Sequence, residues 1–282
     1  MKLAQKLAIR YVKARLRIIA LASKKKAAKK ALKIFSTPRR RTNVKTPAVF
    51  EQAEKLSFKL DGQTIRGHRW LPKNPPVKRI LILHGYESSS KKFSNYISAF
   101  IKKGYEVIAF DAPAHGESGG KEINLPLYVK MIDAIFKRFG PIESFMGHSF
   151  GGLAIAHFIE TVPHDAGTKI ALIAPATETK TSIDIFFQFL GLDEEVRREF
   201  DAMIIERTGN PPTYFSVRRA MNHISASVMW VHDEDDDITP ISDVLKVKRD
   251  NPSNVKFIFT KDLGHRKIYR DEGVMDSVVD FL

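Results

Sequence analysis

The sequence predicts an α/β fold built on a mainly parallel sheet with helices on both faces. Three observations point there. Continuous apolar runs at 80–83, 105–110, 169–173 and 227–231 have the length and composition of strands buried on both faces. Segments with apolar residues at helical spacing, at 92–103 and 127–139, lie between them, and strands that alternate with helices pair in parallel. Finally, Gly147-His148-Ser149-Phe150-Gly151-Gly152 separates a short apolar run at 142–146 from an apolar helical stretch at 153–159. A serine thus occupies a sharp strand-to-helix turn, with glycines on both sides where a Cβ would crowd its hydroxyl.

The remaining elements follow in order. Leu56-Ser57-Phe58-Lys59-Leu60 alternates as a half-buried strand, Asp61-Gly62 is a hairpin turn, and 64–71 returns antiparallel. The strand at 80–83 is followed by a helix over 92–103 with Phe93, Tyr96, Ile97, Phe100 and Ile101 on its core side. The next clear strand after 169–173 begins only at Ser227. The intervening 176–224 is too long for a plain loop. It holds an apolar stretch at 183–190, a charged helix over 193–207 and a break at Gly209-Asn210-Pro211-Pro212, and reads as a helical cap over the active site. A helix at 241–249, a strand at 255–259 and a last helix at 270–282 complete the chain.

The chain has 282 residues, 43% of them hydrophobic, and carries a net charge of +14. It contains no cysteine, which excludes disulfides, thiolate catalysis and thiolate metal sites and fits a reducing, cytoplasmic setting. Residues 1–50 contain 16 Lys and Arg and no acidic residue, so the basic character belongs to that segment. Residues 1–35 read as one basic amphipathic helix: Lys2, Lys6, Arg10, Lys13, Arg17 and Lys24 form a stripe, with Leu3, Leu7, Tyr11 and Ile18 beside it. Its longest apolar run, 18–22, is far short of a bilayer span. Docking on the α/β body is the first expectation, and weak peripheral contact of residues 1–35 with an anionic membrane is the second. Nucleic acid comes last, because Tyr11, Phe35 and Phe50 are too sparse for base stacking.

A serine hydroxyl becomes a useful nucleophile when an imidazole takes its proton and a carboxylate orients that imidazole. Downstream of Ser149 the chain carries, in that order, the acidic run His232-Asp233-Glu234-Asp235-Asp236-Asp237-Ile238-Thr239-Pro240 and then Leu263-Gly264-His265. The histidines show neither His-x-His nor His-Glu-x-x-His spacing, so a metal reading has little support.

Together these motifs resemble the α/β-hydrolase family. The Gly-x-Ser-x-Gly elbow, His84-Gly85-Tyr86-Glu87, Asp111-Ala112-Pro113-Ala114-His115-Gly116-Glu117-Ser118, the acidic run and Gly264-His265 fall in the family's order between Leu56 and Leu282. The resemblance implies an α/β-hydrolase fold. It implies Ser149 as nucleophile, His265 as base and Asp236 as the orienting acid. It puts Thr239 at the usual valine and Asp233 at the usual glycine. A one-residue shift of the loop would instead put Asp235 or Asp237 in the acid's place, and a solvated acidic loop or cation site is the competing reading of the cluster. The resemblance also implies an oxyanion hole from the backbone N–H groups of Tyr86 and Phe150. Asp111, His115 and Ser118 take structural roles in it.

The expected organisation is a basic helix and linker at 1–50, a hydrolase core at 51–175 and 225–282, and the cap at 176–224. The expected activity is hydrolysis of a carboxylic ester or thioester, a small-molecule substrate, with no cofactor and no metal. An acyltransferase would use the same triad. A non-catalytic α/β-hydrolase binding domain tethered by its basic N-terminus is the reading from another class.

Overall fold

The computed structural model describes residues 3–39 and 45–282. Part of the linker expected before the first strand, 40–44, lies outside the described residues, as do the side chains before Leu7. Strands β1 (Glu54–Leu60), β2 (Gln63–Trp70), β3 (Lys78–Leu83), β4 (Tyr105–Phe110), β5 (Ser144–His148), β6 (Lys169–Ile173), β7 (Ser227–Asp233) and β8 (Val255–Thr260) form one sheet, in the order β1-β2-β4-β3-β5-β6-β7-β8. The helices are α1 (Leu3–Ala22), α2 (Lys24–Ser36), α3 (Ser94–Lys102), α4 (Leu125–Phe139), α5 (Phe150–Ile159), α6 (Thr179–Leu190), α7 (Glu194–Thr208), α8 (Val217–Met221), α9 (Ile241–Arg249), α10 (Gly264–Lys267) and α11 (Glu272–Phe281). The chain divides into two compact units, Pro38–Thr177 with Ser216–Leu282, and Met1–Thr37 with Glu178–Phe215.

The first unit holds the sheet. β1 and β2 form the antiparallel entry hairpin, closed at Leu60↔Gln63 by Asp61 and Gly62. Both turn residues have positive φ, 46° and 76°, the conformation whose twist matches paired strands. β2 pairs antiparallel with β4, and the other neighbours pair in parallel. Alternate residues therefore serve opposite faces. Ile80, Ile82, Val107, Ala109, Met146 and Val231 face α3 and α11, burying Tyr96, Ile97, Phe100, Val274 and Val278. The other face carries α4 and α5: the Phe145 ring lies 6.5 Å from Phe136 and 6.1 Å from Phe158. Each large apolar side chain buried here contributes roughly 1.5–3 kcal/mol. That packing, more than local propensity, holds a nine-residue helix such as α3.

The second unit is helical, and it departs from the single N-terminal helix expected at 1–35. The helix breaks after Ala22, and Ser23 starts a new one, its hydroxyl accepting the Lys26 N–H at 3.3 Å. The apolar side of this pair is taken up by the 178–215 segment. Ala27, Ala28, Ala31 and Leu32 of α2, with Ala20 of α1, bury against Ile183 and Phe187 of α6 and Val196, Phe200 and Met203 of α7. Small residues on α2 allow the helices to approach closely. Lys24 adds ion pairs to Asp193 and Glu195 at 2.5 and 3.1 Å, and the Lys13 ammonium lies 4.0 Å from the Phe189 ring centre.

Candidate active site

Ser149 stands between the end of β5 and the start of α5 with φ 55° and ψ −118°, a strained conformation for a residue with a side chain. Such strain costs of order 1–3 kcal/mol and survives only where the surroundings enforce it. Here they do: the Ser149 N–H donates to the Ile173 carbonyl at 3.0 Å, and its carbonyl accepts from Gly152 and Ala176. A Cβ on Gly151 would stand 2.5 Å from the Leu83 carbonyl oxygen. The elbow and the end of β3 thus touch backbone to backbone.

His265 follows β8 on α10, and its ring bridges two side chains far away in sequence. Nδ1 lies 2.7 Å from Asp236 Oδ2, and Nε2 lies 2.9 Å from Ser149 Oγ. All three residues are buried. Burial alone would push the Asp236 carboxyl up. The hydrogen bond and charge of His265, with the N–H groups of Thr239 and Ile238, outweigh it and hold the group down at about 2. An ionised carboxylate only accepts, so His265 donates to it from Nδ1, and Nε2 is the ring nitrogen that faces the serine hydroxyl. Asp236 Oδ1 accepts from the Ile238 and Thr239 N–H groups at 2.9 and 2.8 Å, and Oδ2 accepts from the Thr239 hydroxyl at 2.8 Å. Of the three aspartates the sequence left open, Asp235 and Asp237 are exposed, and Asp236 is buried against the imidazole.

The loop after β3 flanks the serine. A Cβ on Gly85 would stand 2.9 Å from the Ser149 Cβ, so only glycine lets this turn pass. Phe150 is the first residue of α5, and its N–H precedes the helical ladder. The rings of Tyr86 and Phe150 lie 6.4 Å apart, so the two residues expected to form the oxyanion hole are neighbours. Two neutral histidines shape the turn. His84 donates from Nδ1 to the Gly85 carbonyl and accepts the Ala112 N–H on Nε2, at 2.8 and 2.9 Å. His115 accepts the Glu87 N–H at 3.0 Å. Asp111 accepts the N–H groups of Ser90 and Glu117, each at 2.8 Å, and the Ser118 hydroxyl bonds its carbonyl at 2.6 Å.

Two residues with a clear part in positioning His265 escaped sequence reasoning. Asp233 is fully buried, and its carboxylate accepts the Thr260 hydroxyl and the N–H groups of Asp235, Leu263 and Gly264, at 2.7, 3.1, 3.2 and 2.8 Å. It fastens the loop that presents His265 to the end of β7. His148 donates from Nε2 to the His265 carbonyl at 3.0 Å and packs against the Tyr269 ring. A carboxylate standing in place of the resembled glycine was the available signal for Asp233, and for His148 there was none.

Burial, together with the charge of His265, drives the His148 imidazole down to about 3. His157 falls to about 4, because burial and the Arg219 charge outweigh the Glu160 carboxylate 2.9 Å away. Both are neutral when folded and bind protons when unfolded as pH falls below the free value of about 6.5. Their contribution to stability therefore rises with pH from about 4 to about 6.5. Each adds a slope of about 1.4 kcal/mol per pH unit. Asp236, depressed instead, acts in a separate window and loses its contribution between about pH 4 and 2. Urea midpoints measured at pH 7.5 and 5.0 are expected to fall markedly at the lower pH; an unchanged midpoint would contradict burial of these rings as neutral groups.

The sheet order and the strand-to-helix elbow are those of the α/β-hydrolase fold, and the chain has that fold. Residues 74–200 match the family model described as serine aminopeptidase, S33. An uncharacterized protein of Bacillus subtilis, YqkD, is 26% identical over 214 residues, 68% of this chain and 67% of that protein. The bifunctional esterase/perhydrolase DCH of Acinetobacter calcoaceticus is 30% identical over 119 residues, 40% of this chain and 42% of that enzyme, so less than half of the enzyme's length is matched. Among solved structures, the Pyrococcus furiosus esterase PF2001 superposes with a TM-score of 0.64 at 21% identity, covering 88% of this chain and 97% of that one. The chain thus has the α/β-hydrolase fold, and its partial sequence matches include esterases.

Proposed function

We propose that the protein is a serine hydrolase that cleaves a carboxylic ester or thioester through an acyl-enzyme on Ser149. The observation that carries this reading is the buried chain of hydrogen bonds from Asp236 through His265 to Ser149. Ser149 Oγ attacks the acyl carbonyl while its proton passes to His265 Nε2. The imidazolium so formed faces the Asp236 carboxylate, which stabilises it and keeps the ring in place. The N–H groups of Phe150 and Tyr86 meet the developing oxyanion. Collapse expels the alcohol or thiol, protonated by His265, and water activated by the same ring releases the acid.

The esterase-like relatives favour an ester over an amide, and the aminopeptidase description of the matching family model makes the amide the competing class. Full-length protein assayed on p-nitrophenyl esters and acyl thioesters of graded chain length, and on an aminoacyl p-nitroanilide, separates them. Turnover of esters or thioesters and no turnover of the anilide is the expected result. Cleavage of the anilide alone would overturn the substrate class. A folded protein that cleaves nothing would favour the binding-domain reading.

A further inference from the structure

We propose that α1 seats the protein on an anionic lipid bilayer through an exposed apolar stripe, with its axis along the surface. The stripe is Leu7, Tyr11, Ile18 and Leu21, which are 55%, 64%, 67% and 86% exposed. At about 100° per residue these positions fall within an arc of about 80° and run for about 21 Å along the helix. The buried residues Leu16 and Ala20 lie on the opposite side, and Ala20 packs within the core of the helical unit. The stripe is therefore a second apolar face, left over after the core of that unit is complete. Expectation from sequence set Leu7, Tyr11 and Ile18 beside a basic stripe; the structure adds Leu21 and turns this face outward.

The flanking charge selects the occupant. Arg10 and Arg15 are exposed on either side of the stripe. Next in the chain, α2 adds exposed Lys25, Lys26, Lys29 and Lys33, and residues 1–50 contain no acid. Apolar side chains at the headgroup boundary with cations toward anionic headgroups are the pattern of a helix lying in the interface. No helix among the described residues is long and apolar enough to cross a membrane, so α1 lies on the surface. A second copy of the chain would bring two cationic helices together over four side chains, well short of the roughly 1,200–2,000 Å² of a stable interface. Nucleic acid would use the cations and leave the apolar stripe in water. The proposal does not depend on the hydrolase reading.

The test uses full-length protein and two kinds of vesicle, phosphatidylcholine alone and a mixture with phosphatidylglycerol. Sedimentation with the mixed vesicles and not with phosphatidylcholine is expected, weakened by high salt. The double variant Ile18→Gln/Leu21→Gln, altered only at exposed positions, is expected to bind roughly tenfold or more weakly. A Tyr11→Trp variant should show a blue-shifted emission with the mixed vesicles. Unaltered circular dichroism of the variants keeps misfolding out of the comparison. Equal vesicle binding by the double variant, or no binding by the unaltered protein, overturns the proposal. So does light scattering that shows a dimer which the double variant abolishes, because the stripe would then be a contact between copies.

Discussion

Replacing Ser149 by alanine is expected to lower kcat for any ester the protein turns over by about 10⁴- to 10⁶-fold. The hydroxyl lies 2.9 Å from His265 Nε2, and its loss removes the covalent route altogether. Alanine can take the same backbone path, since the positive φ is enforced by bonds from Ile173, Gly152 and Ala176 that involve only the Ser149 main chain. Folding should therefore be unaffected, and the loss should appear in kcat rather than in thermal stability. Steady-state kinetics with melting curves of both proteins would check this. Retention of more than about a hundredth of the rate would show that the reaction passes through another group.

The second large effect belongs to Asp236→Asn, for which a loss of about 10⁴-fold in kcat is expected. The carboxylate accepts four hydrogen bonds, from Ile238, Thr239 N–H, Thr239 Oγ1 and His265 Nδ1. An amide offers two donors where all four partners donate, so one side of it is mismatched whichever way it turns. The imidazole then loses the acceptor that fixes its proton on Nδ1, and the bare nitrogen no longer points reliably at the serine. Asp235→Asn and Asp237→Asn, on exposed neighbours, should leave kcat within about twofold. A larger loss from either of those, with Asp236→Asn mild, would move the acid to the other position.

The parts of the fold governed by local pattern were legible. The buried strands show as apolar runs because neighbours cover both faces, and Asp61-Gly62 announces the hairpin through its backbone conformation. β7 runs two residues past its apolar core, to Asp233, because His232 and Asp233 pair with Phe259 and Thr260 of β8. Nothing at 232–233 signals that. The break at Ser23 was invisible among alanine and lysine, since no glycine or proline marks it. The partnership of α2 with α7 joins segments some 170 residues apart, and an apolar helix face does not name its partner. The order of Ser149, Asp236 and His265 could be read because the motif spacing is local to each strand end. The supports of His265 could not: Asp233 holds a loop that returns 31 residues later, and His148 reaches a carbonyl 117 residues away.

These supports make the site a property of the sheet edge as much as of three side chains. β5, β7 and β8 bring the serine, the acid and the histidine to the same end of parallel strands. The parallel order therefore gathers these three side chains, and the hydrogen bonds of Asp233 and His148 tie the segment that carries His265 to β7 and β5.

The central claim is that Ser149 is a nucleophile activated by His265. Reaction of the full-length protein with a fluorophosphonate, followed by mass mapping of the adduct, tests it most directly. One adduct, on the peptide containing Ser149, with labelling slowed at least about a hundredfold in His265→Ala, is the predicted result. An adduct on a different serine, or labelling of Ser149 at the same rate without the imidazole, would contradict it.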